Sequence, residues 1–251
     1  MVYHHIAQIA YDGSPFFGWQ KSNDGPTVEE ALEKVCYQIF QEPLSLRAAS
    51  RTDRGVHALC QIVDFTTTKP IDDYQNFVIS LNSLLPPEIR CLRITAAPKD
   101  FHPTLDALKK SYCYSISTGC VQLPSLRHTH WHLHYDLDFE LLKQTARCFE
   151  GTHDFRGFCN RRHCLNENDT VRTVHSITID QAPDEILITI EADRFLYKMA
   201  RNIVGTMIWI ARGKIPISAI KTALTSRKRA EAGVTAPAHG LCLVDITYPS
   251  L

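Results

Sequence analysis

At residues 49–58 the sequence reads ASRTDRGVHA, a polar stretch bracketed by two segments in which apolar and polar residues alternate. Leu44–Ala49 precedes it and Cys60–Phe65 follows it, and alternation with a period of two is typical of β-strands. The stretch Arg51–His57 is therefore predicted to be a loop that a sheet holds at both ends. Gly55 supports this prediction, because glycine adopts turn conformations that a residue with a Cβ resists.

Asp53 is the candidate catalytic residue of this loop. Its neighbours Arg51 and Arg54 carry guanidinium groups, and a carboxylate beside guanidinium groups stays ionised and can be oriented by paired hydrogen bonds. An ionised, oriented carboxylate on a rigid loop is what nucleophilic catalysis by aspartate requires. The alternative is structural, because an Asp in a loop with neighbouring arginines is commonly a turn cap or a solvated ion pair.

Length and composition are those of an ordinary globular protein. The chain has 251 residues, 44% apolar and 22% charged, enough for a substantial core in one large or two small domains. No segment has the apolar length of a membrane span, and Met1–His5 lacks a basic region leading into an apolar core, so no signal peptide is expected. Nine cysteines without CxxC pairs are typical of reduced thiols in a cytoplasmic protein.

The charge balance gives no direct sign of a nucleic-acid partner. There are 27 basic and 27 acidic residues, whereas nucleic-acid-binding proteins usually show a basic excess. The distribution of charge matters more than its sum. Local basic clusters stand at Arg161–His163 and Arg227–Arg229, and a basic groove would have to be assembled from such patches.

Several stretches of the chain resemble the tRNA pseudouridine synthase A family. Arg51–Ala58 is similar to its active-site loop, usually Gly-Arg-Thr-Asp-Ala-Gly-Val-His, with Ser50 and Arg54 here in place of the Gly and the Ala. Lys110–Tyr114 is similar to a basic residue followed by Tyr-x-Tyr. Phe195–Gly205 is similar to the second signature, Phe-x-x-x-Met-x-Arg-x-Ile/Val-x-Gly.

The likeness runs in order from Tyr11 to Pro249, with a further departure in Phe101–Thr104. The family usually reads Phe-His/Asp-Ala-Arg there, and Thr104 stands in place of the arginine. If that arginine meets RNA in the family, its contact is lost here or is supplied elsewhere.

The resemblance implies a fold and a division of the chain. The fold class is α/β of the α+β type, the pseudouridine synthase fold, with a long mixed, mostly antiparallel sheet, helices on one side, and two similar halves around a central cleft. The halves are residues 1–106, which carry the catalytic Asp loop, and 107–251, which carry the Arg-bearing helix, together one catalytic unit. Periodicity and turn signals independently predict a strand at Tyr3–Tyr11, a helix capped by Thr27 with Glu30, and helices at Ile71–Leu85, Asp138–Glu150, Arg194–Arg212 and Ile217–Thr225.

The resemblance also implies the reaction, isomerisation of uridine to pseudouridine at positions 38, 39 and 40 of the tRNA anticodon stem-loop. Asp53 is then the nucleophile, at C1′ or at C6. Tyr112 lies against the flipped base, which must leave its stack to react, and Arg201 pairs with Asp53. The predicted catalytic residues are thus Asp53, Arg201 and Tyr112, and the predicted substrate-binding residues are Tyr112, Arg51 and His57.

The same reaction sets the expected partners and cofactors. Nothing is oxidised or hydrolysed, so neither a cofactor nor a metal is expected. The expected partners are the tRNA anticodon stem-loop and a second copy of the chain in a homodimer, in the cytoplasm and without membrane contact.

Two alternatives remain open. One is an RNA-binding module of the same fold that lacks turnover. The other is a metal or small-molecule enzyme, because alternation along a strand at His128–His134 would point four imidazoles to one face, and imidazole suits zinc. A polar strand face is the favoured interpretation, since same-face residues along one strand are too far apart for all four to reach one ion. Cys159 and Cys164 form no convincing ligand pair.

Overall fold

Ten β-strands and five α-helices make up the regular structure of the residues that this computed structural model describes, 2–160 and 169–249. Most pairs of neighbouring strands are antiparallel, and the predicted α+β class is confirmed. The basic cluster Arg161–His163 and the candidate ligand Cys164 lie outside the described residues. No helix within those ranges is long and apolar enough to cross a bilayer.

The elements follow one another in a mixed order of strands and helices. The strands are β1 (Tyr3–Tyr11), β2 (Arg47–Ala48), β3 (His57–Thr67), β4 (Ile89–Ala96), β5 (Lys109–Thr118), β6 (Trp131–Leu133), β7 (Gly151–Asp154), β8 (Val171–Ala182), β9 (Glu185–Ala192) and β10 (Leu241–Thr247). The helices are α1 (Val28–Phe40), α2 (Tyr74–Leu84), α3 (Phe139–Arg147), α4 (Met199–Ala211) and α5 (Ser218–Ser226).

The chain folds into two units. The first contains the residues up to Leu108 and from Cys242 onward, and the second contains Lys109–Leu241. The predicted halves, 1–106 and 107–251, stay a prediction about domain organisation.

The first unit is built on strands in the order β4-β1-β3-β10. β1 pairs antiparallel with β3 and β4, β10 runs parallel to β3 at its start, and the short β2 pairs with β3 further along. Ala7 and Ile9 of β1 meet Leu32 and Cys36 of α1 and Leu81 of α2 in one apolar core. Burial of these side chains holds both helices on the sheet.

The two helices of this unit begin at residues whose side chains cap them. Thr27 Oγ1 accepts a hydrogen bond from Glu30 N at 3.3 Å, which confirms the predicted N-cap of α1. Asp73 accepts from Asn76 N at 3.0 Å and starts α2 at Tyr74, three residues later than predicted. A cap therefore decides where each helix begins, whereas apolar periodicity indicates only that a helix is present.

A buried carboxylate joins three strands of the first unit. Asp64 on β3 is fully buried and accepts hydrogen bonds from Arg47 on β2 and from His4 on β1, with a distance of 2.7 Å between His4 Nε2 and Asp64 Oδ2. The same guanidinium donates to Phe101 O at 3.3 Å. A buried charge is tolerated only when it is paired and hydrogen-bonded, and Asp64 meets that condition.

The second unit has strands in the order β5-β9-β8-β7, with β6 parallel to β5. In β9 burial alternates residue by residue, and Ile186, Ile188 and Ile190 are almost fully buried. Eleven of the thirteen residues of α4 are buried, and α3 packs against this helix. A helix that is apolar on all sides belongs inside a core, so α4 is the central helix of the unit.

Polar groups fasten the segment 229–236 to α4. Asn202 Oδ1 accepts from Arg229 Nη2 at 2.9 Å and from Thr235 Oγ1 at 2.6 Å. Thr206 Oγ1 accepts from Gly233 N at 2.9 Å. These hydrogen bonds satisfy buried groups, so the segment lies directly on the helix backbone.

Two sequence predictions are wrong. The strand predicted at His128–His134 is reduced to Trp131–Leu133, because only these three residues pair with β5, and His128 lies in a turn. The expectation of reduced thiols fails at Cys159, which is disulfide-bonded. The free cysteines among the described residues are Cys36, Cys60, Cys91, Cys113, Cys120, Cys148 and Cys242.

Gly205 provides a test of the packing of α4. A Cβ at this position would overlap the carbonyl oxygen of Val234. Helix propensity alone favours alanine by about 1 kcal/mol, but we expect Gly205→Ala to lower the free energy of unfolding in urea by roughly 2–4 kcal/mol, because backbone must move. A more stable variant would contradict the close approach.

Gly213→Ala is the matched control. Gly213 has φ +66° and no atom within 4 Å of an added Cβ. Only backbone strain should appear, at about 1 kcal/mol.

Candidate active site

Asp53 occupies the first position of a tight turn between β2 and β3. Val56 N donates to Asp53 O at 3.1 Å, and Gly55 has φ +77° at the third position, as a type II turn requires. Asp53 is half-buried, while Arg51 and Arg54 are exposed. The predicted loop is confirmed from Arg51 to Val56, since His57 already belongs to β3, and the predicted role of Gly55 is confirmed.

The loop is held from the side of β3 and β1. Gln61 is fully buried, and its side chain donates to Ser50 O at 2.6 Å and accepts from Ser50 N at 3.1 Å. Tyr11 Oη and Thr52 Oγ1 are hydrogen-bonded at 2.7 Å. Hydrogen bonds therefore fix Ser50 and Thr52, the residues on either side of Arg51, and Asp53 directly follows this fixed segment.

The segment after β1 holds the loop from a second direction. Trp19 N donates to Thr52 O at 3.1 Å, and Gly55 N donates to Phe16 O at 3.4 Å. Gly18 has φ +97°, and a Cβ there would lie 2.8 Å from Thr52 O. Only glycine permits this approach of two backbones.

Thr104 stands where the resembled family carries an arginine. Its Oγ1 donates to Ala48 O at 3.0 Å, within β2. In this chain the position therefore pins the strand that leads into the Asp53 loop.

His57 lies at the start of β3 and is nine-tenths buried. Its Nδ1 accepts from Gly13 N at 3.1 Å and lies 3.2 Å from Asp12 Oδ1. The first contact requires an unprotonated Nδ1 and the second is attractive only when that atom carries a proton, so the two compete. The backbone donor has a fixed hydrogen, and we therefore assign the proton of a neutral ring to Nε2.

In the second unit Tyr112 is buried on β5. Its ring lies edge-on to Phe195, with the centroids 4.9 Å apart. Tyr114 is fully buried on the same strand face, and its hydroxyl donates to Pro237 O at 2.8 Å. Burial raises the pKa of Tyr114 far above its usual range. Tyr114 is thereby a packed structural residue, whereas Tyr112 packs through its ring.

Arg201 lies in the first turn of α4. Its Nε donates to Ala236 O at 2.8 Å, and its backbone oxygen accepts from Ala236 N at 3.0 Å. The N-terminal turn of a helix carries partial positive charge, and a guanidinium adds to it. The turn is therefore electrostatically suited to an anion such as a carboxylate or a phosphate.

Lys110 is a buried cation that sequence reasoning left without a role. Lys109 turns outward and pairs with Glu191 at 3.0 Å, whereas Lys110 shares the inward face with Tyr112. Burial, and secondarily the charge of Arg194, lowers the pKa of Lys110 to about 8. Alternation along β5 could have indicated that one of the two lysines is buried, but not which one.

Histidines of the segment His128–His134, which was predicted to be a strand, form hydrogen bonds with other groups of the protein. His130 Nε2 lies 2.9 Å from Glu185 Oε1 and its Nδ1 lies 2.9 Å from Thr129 Oγ1, while His132 Nε2 lies 3.0 Å from Gly119 O. Within residues 2–160 and 169–249, no three His, Cys, Asp or Glu side chains are grouped as metal ligands.

Comparison with known proteins places the chain in a family. The family model described as tRNA pseudouridine synthase matches residues 7–106 and 145–249. The chain belongs to the tRNA pseudouridine synthase family. The resemblance seen in the sequence is confirmed, and since pseudouridine synthases are isomerases, the chain is an enzyme of that class.

Curated relatives of the family match the chain over almost its full length. The tRNA pseudouridine synthase A 2 of Protochlamydia amoebophila is 48% identical over 242 residues, which are 96% of this chain and 92% of the relative. The tRNA pseudouridine synthase A of Thermoanaerobacter sp. (strain X514) is 39% identical over 240 residues, 96% of this chain and 97% of the relative.

The predicted site residues of this tRNA pseudouridine synthase fall in both units. Arg51, Asp53 and His57 belong to the first unit, and Tyr112 and Arg201 belong to the second. Their catalytic and binding roles stay predictions.

The depressed pKa of Lys110 predicts a pH dependence of stability. Below about pH 8 the folded state must bury the charged ammonium, and this penalty is lost as the pH rises toward the unfolded value of 10.5. We expect the free energy of unfolding of Lys110→Met to exceed that of wild type by roughly 1–3 kcal/mol at pH 7.5, and we expect this difference to shrink by pH 10. Urea titrations across this range measure it.

The matched control is Lys69→Met, the same substitution at an exposed lysine. A difference between Lys110→Met and wild type that stays constant from pH 7.5 to 10 would contradict the assignment.

Proposed function

We propose that the chain isomerises uridine to pseudouridine at positions 38, 39 and 40 of the tRNA anticodon stem-loop, with Asp53 as the nucleophile. One observation carries this proposal. Asp53, the residue that corresponds to the catalytic aspartate of the family, lies at the first position of a turn whose backbone is fixed from β1, from β3 and from the segment at Gly18. A nucleophile needs such fixed placement, because small displacements of reacting atoms are costly in rate.

The chemistry breaks the N1–C1′ bond of uridine and forms a C5–C1′ bond. The proton on C5 is released, and N1 takes up a proton, so the reaction is an isomerisation and needs no redox cofactor. Asp53 attacks either C1′ or C6. In this proposal Tyr112 supports the flipped base and accepts or relays the C5 proton, and Arg201 serves the catalytic carboxylate.

Arg51 and His57 are proposed to contribute to substrate binding in different ways. Arg51 is exposed, so its guanidinium is accessible to RNA. His57 is largely buried and accepts from Gly13 N, which supports an indirect role through the position of the loop.

Asp53→Asn tests the nucleophile. We expect release of tritium from tRNA labelled at C5 of uridine to fall by at least about 10⁴-fold, because the amide cannot attack, while tRNA binding changes little. Asp72→Asn, at an exposed aspartate of the first unit, is the matched control and should keep full activity. Mapping of pseudouridine in the product tRNA identifies the modified positions.

Equal tritium release by Asp53→Asn and wild type would reject Asp53 as the nucleophile. Binding of tRNA without release by the wild type would instead favour an RNA-binding module that lacks turnover.

We further propose that the protein acts as a cytoplasmic homodimer. A neutral chain gains a basic groove when patches on two copies are combined, and RNA binding depends on such patches. We expect light scattering to give a mass twice the 28.5 kDa of one chain. A mass of 28.5 kDa at micromolar concentration with tRNA modification intact would refute the dimer.

A further inference from the structure

Arg54 lies at the exposed corner of the Asp53 turn. Within the turn, it is the residue that departs from the pattern of the resembled family. Its guanidinium carbon lies 3.8 Å from the centroid of the Phe17 ring. This distance is that of a stacked cation–π contact, in which a planar guanidinium lies over an aromatic face. Arg54 is thus held in one place although it is exposed.

The platform under Arg54 is itself fixed. Phe17 N donates to Pro26 O at 2.8 Å, and Gly25 packs so closely that a Cβ there would lie 2.6 Å from two ring atoms of Phe17. Gly55 N also donates to Phe16 O at 3.4 Å, which joins the turn to the same segment. The position of the Phe17 ring is therefore set by its own neighbours, and stacking on this fixed ring orients the guanidinium of Arg54.

The donors of this oriented guanidinium are unused. Among residues 2–160 and 169–249, no hydrogen bond or ion pair reaches the Arg54 side chain. Stacking uses only the face of the group and leaves the N–H donors at its edge, in a fork that matches phosphate oxygens.

We propose that Arg54, stacked on Phe17, binds a backbone phosphate adjacent to the uridine that Asp53 attacks. The inference rests on the proposed function, since it takes RNA as the substrate. The two phosphates that flank the target uridine are attached to O5′ and O3′ of the ribose that carries C1′, so the residue next to the nucleophile is placed to reach one of them. Arg54 then sets the register of the strand without reading its sequence.

Binding of an anticodon stem-loop RNA at several salt concentrations tests the contact. We expect Arg54→Ala to weaken binding about 10-fold near 0.1 M salt and to reduce the slope of log Kd against log salt by about one. The single-turnover rate at saturating RNA should change by less than about threefold, because Arg54 touches no reacting atom. Thermal unfolding should be unchanged.

Three further variants separate charge from geometry. Arg54→Lys should keep the salt slope but bind more weakly than wild type, because an ammonium neither stacks flat nor binds in a fork. Phe17→Leu should weaken binding although Arg54 is still present, because the guanidinium loses the ring that orients it. Lys69→Ala removes one exposed charge beyond the far end of β3 and should leave the slope unchanged.

Changes in the RNA provide an independent measurement on the wild-type protein. A neutral methylphosphonate at the phosphate on one side of the target uridine should weaken wild-type binding about 10-fold and leave Arg54→Ala unaffected. Equal losses for both proteins at each flanking phosphate, or a salt slope of Arg54→Ala equal to wild type, overturn the proposal. So does a variant that loses thermal stability or rate while binding RNA normally, which would make the stack structural.

Failure of the two proposals can be told apart. RNA binding can be measured without turnover. A wild-type protein that binds RNA without releasing tritium would therefore contradict the proposed reaction, and the salt dependence of binding would still test the phosphate contact of Arg54. Tritium release by the wild type, together with a salt slope of Arg54→Ala equal to that of wild type, would support the reaction and reject the phosphate contact of Arg54.

Discussion

The side-chain amide of Gln61 holds the backbone of Ser50 at both of its polar groups, and the position of the Asp53 loop depends on this pair of hydrogen bonds. Gln61 is fully buried, so a broken hydrogen bond would leave a buried polar group unpaired at a cost of about 1–3 kcal/mol. The adjacent bond between Tyr11 and Thr52 extends the same hold from β1. A residue of the strand after the loop therefore places the loop.

Two glycines let the neighbouring segment come against this loop from the other direction. A Cβ at Gly13 would overlap Val56 O, and one at Gly18 would crowd Thr52 O. Backbone therefore packs against the turn on two sides, while Arg54 at its corner is exposed. The exposed corner therefore accommodates the long side chain of Arg54.

Two cations of the second unit lie at positions that the fold decides. Lys110 is buried beside the charge of Arg194, and Arg201 adds a cation to the N-terminal turn of α4. Burial lowers the pKa of Lys110 to about 8, whereas Arg201 Nε donates to the backbone oxygen of Ala236 at 2.8 Å.

Local signals in the sequence determined much of this protein by themselves. Gly55 indicated the turn, Thr27 indicated the start of α1, and alternation placed Tyr112 and Tyr114 on one face of β5, because each signal acts between residues a few positions apart. Two signatures far apart in the chain were enough to indicate the family. The tertiary structure alone decided that the predicted His128–His134 strand has only three residues. A strand extends only where a neighbouring strand pairs with it, and here the pairing is limited to the end of β5. It also decided that Lys110 is buried, that Gln61 holds Ser50, and that Arg54 stacks on Phe17. Burial, pairing and stacking depend on which distant residues the fold brings into contact, and no local pattern carries that information.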